Sequence, residues 1–142
     1  MRQVNGLPIE QVEMRAHWAR YICVLASGFL ENAIKEVYSC YARSCGSAAI
    51  GDFVELQLDK IQNPKSSRFV EVARSFKKSW AAELSEFLNE EGRKEAIDAI
   101  MANRHQIAHG KDSGISLARV SEYVDKSIQV IEFIESQCDG KK

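Results

Sequence analysis

Proline and glycine are scarce in this sequence, two and eight residues out of 142. A turn-rich all-β architecture or a low-complexity linker uses far more of both, so the chain leans helical. No apolar run approaches the roughly 20 residues needed to cross a bilayer, and the start, MRQVNGLPIEQVEMR, has no signal-peptide core. The reading is a cytoplasmic protein without membrane contact. A dominant charge sign is also missing: 19 basic residues face 20 acidic ones, a net of −1. A protein that coats nucleic acid nonspecifically carries a bulk positive field, so any nucleic-acid contact here is local. Cys23, Cys40, Cys45 and Cys138 form no CxxC pair, and the three histidines lack ligand spacing. Free thiols, no metal and no cofactor are expected.

What is present is 45% hydrophobic and 27% charged residues, the balance of a globular domain long enough to bury its own core. One domain, 1–142, is expected, with a folded core over 8–138 and a tail at 139–142. Val12, Ala16, Ala19, Cys23, Ala26, Leu30, Ile34, Val37 and Tyr41 recur at steps of three and four, which predicts a long amphipathic helix beginning near Pro8. The segment Arg43 to Gly51, with two glycines and two serines, reads as a loop. Asp52 to Ile61 alternates enough to fit a strand, but its helical neighbours favour a short helix, stopped by Asn63-Pro64.

Ser66 or Ser67 is a candidate N-cap for the stretch holding Phe69, Val72, Ala73 and Phe76, and Trp80, Leu84, Phe87 and Leu88 continue it, as one helix kinked at Lys78-Ser79 or as two. Ala96, Ile97, Ile100, Met101, Ile107 and Ala108 give the next helix its inner face, and Gly110 ends it. Ser116 caps a last helix whose stripe is Leu117, Val120, Val124, Ile128, Ile131, Ile134 and Cys138. The sum is an all-α, up-and-down bundle of about five helices with no sheet. Leu30, Ile100, Ile128 and Ile131 are expected deep in its core.

Polar, titratable groups crowd one predicted helix end, Asn103-Arg104-His105-Gln106-Ile107-Ala108-His109-Gly110. Arg104 falls on or beside the inner stripe. His109, five residues on, points about 140° away on an ideal helix. The two converge only if the helix unwinds near Gly110 or if a second chain supplies the partner. Arginine with a nearby histidine suits a phosphodiester: guanidinium grips phosphate oxygens in a planar fork, and imidazole moves protons near neutral pH. The bland alternative has Arg104 snorkelling to a carboxylate and His109 capping the last carbonyls at the negative end of the helix dipole.

Other candidates are weaker. Arg15, His17 and Arg20 are read either as surface residues or as an RNA-facing patch. Glu31 lies about 100° off the first stripe, where it is either solvated or oriented toward Arg104. Lys77 and Lys78 form a solvated face or a phosphate-holding pair. Trp80 is core rather than a base-stacking platform. Asp98 and Asp112 are too few for a two-metal nuclease, which needs several converging carboxylates.

An all-helical chain of this size whose penultimate long helix ends in Arg, four residues and His, with a polar residue after the Arg, resembles the HEPN superfamily. Arg104, His105 and His109 match that pattern, and Ala108-His109-Gly110 matches the ending common among members. The first helix, with Arg15, His17, Trp18, Arg20 and Tyr21 before Glu31, resembles the RiboL-PSP-HEPN branch.

The resemblance implies a metal-independent endoribonuclease acting as a homodimer, with the motifs of both protomers at one cleft. It implies His109 as general acid or base for 2′-OH attack, Arg104 as the stabiliser of phosphorane-like charge, and His105, supported by Asn103 and Glu31, in a positioning role. Products would carry 2′,3′-cyclic phosphate and 5′-OH ends. It also implies a toxin or phage-defence role beside an antitoxin partner, or alternatively a catalytically silent module that binds nucleotide, RNA or protein. Many HEPN toxins silenced by AMP transfer have a tyrosine two residues after the His. Here that position is Lys111, grouped with the weak RNA-binding candidates.

Overall fold

A computed structural model describes residues 3–4 and 7–140. Six helices follow one another: α1 (Ile9–Cys45), α2 (Ala48–Leu58), α3 (Ser66–Phe76), α4 (Lys78–Leu88), α5 (Arg93–Ala108) and α6 (Leu117–Cys138). Ahead of them, β1 (Gln3–Val4) and β2 (Leu7–Pro8) pair antiparallel, Gln3 with Pro8 and Val4 with Leu7. Two residues per strand is a turn-sized ribbon, not a sheet on which helices could pack. The fold is all-α, with six helices instead of about five.

The sixth helix comes from the division of the 66–88 stretch into α3 and α4, while α2 begins earlier than expected, inside the segment read as a loop. Only Gly46 and Ser47 leave the helical pattern there, and the Ser47 side chain accepts a hydrogen bond from the Ile50 N–H at 3.3 Å, capping α2. Gly51 is not a breaker but a point of close approach: a Cβ there would lie 2.5 Å from Cγ of Arg43, whose guanidinium reaches over it to Asp52 and Glu55. The break between α3 and α4 falls at Lys77, which is extended (φ −150°, ψ 135°). Ser66 and Ser67 do not cap α3, since Lys65 holds that position. Ser66 instead donates its N–H and its hydroxyl to the Asp98 carboxylate of α5, at 2.8 and 3.0 Å, which ties the start of α3 to α5.

Helices α1, α5 and α6 pack on one another, and the α3–α4 pair closes the core from the other side. Leu30, Ile34, Phe69, Trp80, Leu84, Ile97, Ile100, Val130 and Ile134 are fully buried between them. Tyr38, Tyr41, Phe76 and Trp80 interlock as an aromatic cluster with neighbouring rings 5.0 to 6.4 Å apart. Arg93 enters this interior from the first turn of α5. It donates to Gln129 Oε1 at 2.9 Å and to the Phe87 carbonyl at 3.2 Å, and its guanidinium lies 3.8 Å from the Phe87 ring centroid.

Of the four residues expected deep in the core, Ile128 is the exception, at 39% exposed. The buried arc of α6 is Val120, Ser127, Val130, Ile131, Ile134 and Gln137, and Ile128 sits roughly 115° from its middle at 100° per residue. The buried arc takes in Gln137, which donates to the Trp80 carbonyl at 3.1 Å, and leaves Ile128 at its edge. Leu30 has no exposed surface, and Leu30→Ala is expected to cost about 2–5 kcal/mol in urea unfolding, the range for emptying a packed leucine site.

Candidate active site at the end of α5

The direction of the helices decides what stands beside the motif. The C-terminal residues of α6, Glu135, Cys138 and Asp139, share a groove with Val37, Tyr41 and Ser44 of α1, so α6 runs parallel to α1. A short loop reverses the chain between α5 and α6, which makes α5 antiparallel to α1. The Cys23 thiol donates to the Ile100 carbonyl at 3.4 Å and fixes the level of the two helices. Residues after Ile100 therefore lie beside the N-terminal part of α1.

Arg104 is half-buried in that position and makes no hydrogen bond or ion pair with a described residue. Its charge is felt by Cys23: burial pushes that thiol up to about 11, and Arg104 pulls against the shift. Among the described residues, none takes up the donors of the Arg104 guanidinium. The bland alternative, a carboxylate partner for Arg104, is not what the structure contains among the described residues.

His109 lies where α5 unwinds. It is the C-cap, at φ −94° and ψ 13°, followed by Gly110 at φ +71°. The Gly110 N–H donates to the Ile107 carbonyl at 3.1 Å and the Lys111 N–H to the Gln106 carbonyl at 2.9 Å. This is a Schellman ending, and the left-handed residue at its turn favours glycine. The imidazole of His109 lies over the preceding turn, where four-residue spacing on a helix face places it beside His105. Its ring centroid is 4.4 Å from that of His105, with the planes tilted by 59°. Both rings are exposed. The side chain that His109 meets is therefore His105 of its own chain, the residue beside Arg104.

The other candidates separate clearly. Asn103 spends its amide on the Ala99 carbonyl one turn back, at 2.8 Å, and so stiffens the helix below the motif. Glu31 is not oriented toward Arg104: its carboxylate accepts from the Asn63 N–H at 2.7 Å and meets Lys35 at 3.5 Å. Asn63 is left-handed (φ 46°), and Glu31 pins that turn. His17 and Arg20 share one edge of α1, with Arg20 Nη2 and His17 Nδ1 2.6 Å apart. Three residues before Cys23, Arg20 stands level with Asn103 and Arg104. Arg15 projects about 160° away from His17, so the expected patch lacks it.

Lys77 and Lys78 lie far from the motif. Lys77 Nζ sits 4.8 Å from the Trp80 ring centroid and its charge acts on Cys138, at the C-terminal end of α6. The motif leads into the opposite end of that 22-residue helix, about 33 Å away. Lys111 is exposed directly after the motif. Among the described residues, no three His, Cys, Asp or Glu side chains gather as a metal site, and no helix is long and apolar enough to cross a membrane.

Sequence reasoning did not single out Cys23, whose contact with Ile100 sets the position of Arg104. Its place on the apolar stripe was the only signal. Nor did it mark the second apolar face of α1, on which Trp18 and Tyr21 meet edge to face with centroids 5.7 Å apart.

An all-α bundle whose penultimate helix ends in an arginine without a partner among the described residues and two histidines in contact agrees with the HEPN resemblance. The chain belongs to the RiboL-PSP-HEPN family, whose model matches residues 4–140. No curated protein matches it, and no solved structure does.

Proposed function

We propose that this protein is an endoribonuclease that works without a metal ion, attacking the scissile phosphodiester with the RNA's own 2′-OH. The observation that carries the reading is the Arg104–His105–His109 group: a cation without a partner among the described residues, next in sequence to one of two exposed imidazoles in contact. His109 serves as general base or acid, and its backbone position at the helix cap lets the ring swing toward substrate. Arg104 binds the non-bridging oxygens and stabilises the charge that builds on them. His105 holds His109 in place, and Asn103 stiffens the turn below. Arg20, His17 and Lys111 supply the local positive edge for the flanking phosphates, which a net charge of −1 does not supply globally.

The products are 2′,3′-cyclic phosphate and 5′-OH ends. RNA is the substrate, the compartment is the cytoplasm, and the biological setting is that of a toxin or phage-defence effector held in check by an antitoxin protein. A second copy of the chain is the other proposed partner.

Purified protein is expected to cut single-stranded RNA in EDTA and to leave the same sequence intact when it is made of DNA or 2′-O-methyl RNA. Cleavage abolished by EDTA, or equal cleavage of the 2′-O-methyl strand, would refute this mechanism. RNA binding without any cleavage would favour the second reading, a silent module, for which the near-neutral overall charge and the absence of a bulk positive field speak.

A further inference from the structure

Three of the four cysteines gather at one end of the molecule, although they come from opposite ends of the chain. Cys40 and Cys45 lie in the last two turns of α1, and Cys138 is the last residue of α6. The two helices run parallel, so their C-terminal ends meet. Cys138 shares with Cys40, Tyr41 and Ser44 the lining of a groove of about 310 Å³. Cys23 stands apart, buried and bonded to the Ile100 carbonyl.

The charges that each sulfur feels show which two face each other. Burial first, then Asp139, Cys45 and Glu135, push the Cys138 thiol up to about 11, while Lys77 pulls it down. The Tyr41 hydroxyl is held above its ordinary range by its hydrogen bond to Cys45, with burial and the charges of Cys45 and Cys138 adding to it. Besides burial, the groups acting on Cys40 are Glu36, which accepts from its thiol at 3.7 Å, and Arg43. Cys40 also stands about 140° around α1 from Cys45, whereas Tyr41, one turn before Cys45, is on the same face. The Tyr41 ring is wedged against Phe76 and Trp80, so its bond ties the Cys45 thiol to the side of α1 that the bundle covers.

We propose that Cys45 and Cys138 are a redox modification site, which takes a hydroperoxide as oxidant and closes to a reversible disulfide between the ends of α1 and α6. Cys45 is exposed and Cys138 half-buried, so an oxidant in solution reaches Cys45 first. With hydrogen peroxide, the Cys45 sulfur attacks the O–O bond. An S–O bond forms, and the departing oxygen leaves as water with the thiol proton. The Cys138 sulfur then attacks that of Cys45: an S–S bond forms, the S–O bond breaks, and the hydroxyl leaves as water with the second thiol proton. Two thiols are oxidised and one peroxide is reduced to two waters. A dithiol reverses the change, and in a reducing compartment the pair stands as thiols. The disulfide closes a loop that contains α2 to α5, which restricts the unfolded chain and stabilises the folded one.

The test is oxidation of the reduced full chain by hydrogen peroxide at low micromolar protein, read by mass spectrometry under denaturing conditions. The wild type is expected to lose the mass of two hydrogens, to melt at a higher temperature, and to return to its starting state with dithiothreitol. Trypsin cuts after Arg43 and so separates Cys40 from Cys45. The non-reduced digest is expected to join the peptide holding Cys45 to the one holding Cys138. Cys138→Ser is expected to stop at a sulfenic acid on Cys45, trapped by a dimedone-type probe, and Cys45→Ser to stay reduced at the same dose. A wild type that stays reduced, a link through Cys40, links only between chains, or Cys45→Ser reacting as fast as the wild type would each overturn the proposal. The pair lies at the end of the molecule away from the Arg104 motif, and the assay involves no RNA. Either result therefore leaves the nuclease reading to its own test.

Discussion

Replacing His109 with alanine is expected to lower single-turnover RNA cleavage by about 10²- to 10⁴-fold, the usual contribution of a positioned general acid or base. The loss should appear in the chemical step and leave stability nearly untouched. The His109 ring is exposed, and the hydrogen bonds that end α5 run through backbone N–H groups and carbonyls of residues 106–111, none of which the substitution removes. The helix also loses a group at its negative end, an effect of a few tenths of a kcal/mol to about 1 kcal/mol at an exposed site. A thermal melt close to that of the wild type, together with the rate loss, separates a chemical role from a structural one. An unchanged rate would assign the proton transfer elsewhere.

The second large effect is expected at Arg104. Lysine there retains a positive charge on a long stem, so a merely electrostatic role would survive the change. A role that grips two oxygens of a trigonal-bipyramidal phosphate in a plane would not, because an ammonium is a point donor. Arg104→Lys is therefore expected to lose about 10²- to 10³-fold in rate, the cost of removing a transition-state donor. Its half-buried stem beside α1 should pack much as before. Measured on the same RNA, a fall in the cleavage rate with substrate binding little changed supports transition-state stabilisation. A pure loss of binding would reduce Arg104 to a phosphate anchor.

The long elements were legible because their burial is one-sided. The three- and four-residue steps of α1 run without interruption through Ala19, Cys23, Ala26, Leu30 and Ile34, and these are the residues the bundle buries. The ends of α5 and α6 were legible for chemical reasons: Gly110 adopts the left-handed turn, and the Ser116 hydroxyl accepts from the Arg119 N–H at 3.1 Å. What periodicity did not reveal is set by contacts distant in sequence. Ile128 looked buried because the pattern leaves the helix's rotation loose, and the buried arc includes the polar Gln137, whose partner, the Trp80 carbonyl, is 57 residues away.

Gly51 looked like a loop residue because nothing nearby in sequence announces that Arg43 will lie across it. Glu31 was a plausible partner for Arg104 by angle alone, and its actual partner, the Asn63 N–H, is 32 residues away. At the site itself, the types and spacing of Arg104 and His109 pointed to the phosphodiester chemistry proposed here. The 140° between them showed that an ideal helix does not bring the two together within one chain, and the side chain that His109 meets in the structure is His105.

The central claim is that Arg104 and His109 direct a 2′-OH attack on RNA, and the most direct measurement is the chemistry of the new ends. A defined RNA is incubated in EDTA with wild-type protein and with His109→Ala prepared in parallel, and the fragments are weighed by mass spectrometry. The account predicts 2′,3′-cyclic phosphate and 5′-OH termini from the wild type and almost no fragments from the variant. Fragments bearing 5′-phosphate and 3′-OH ends, or identical fragments at equal rates from both proteins, would contradict it.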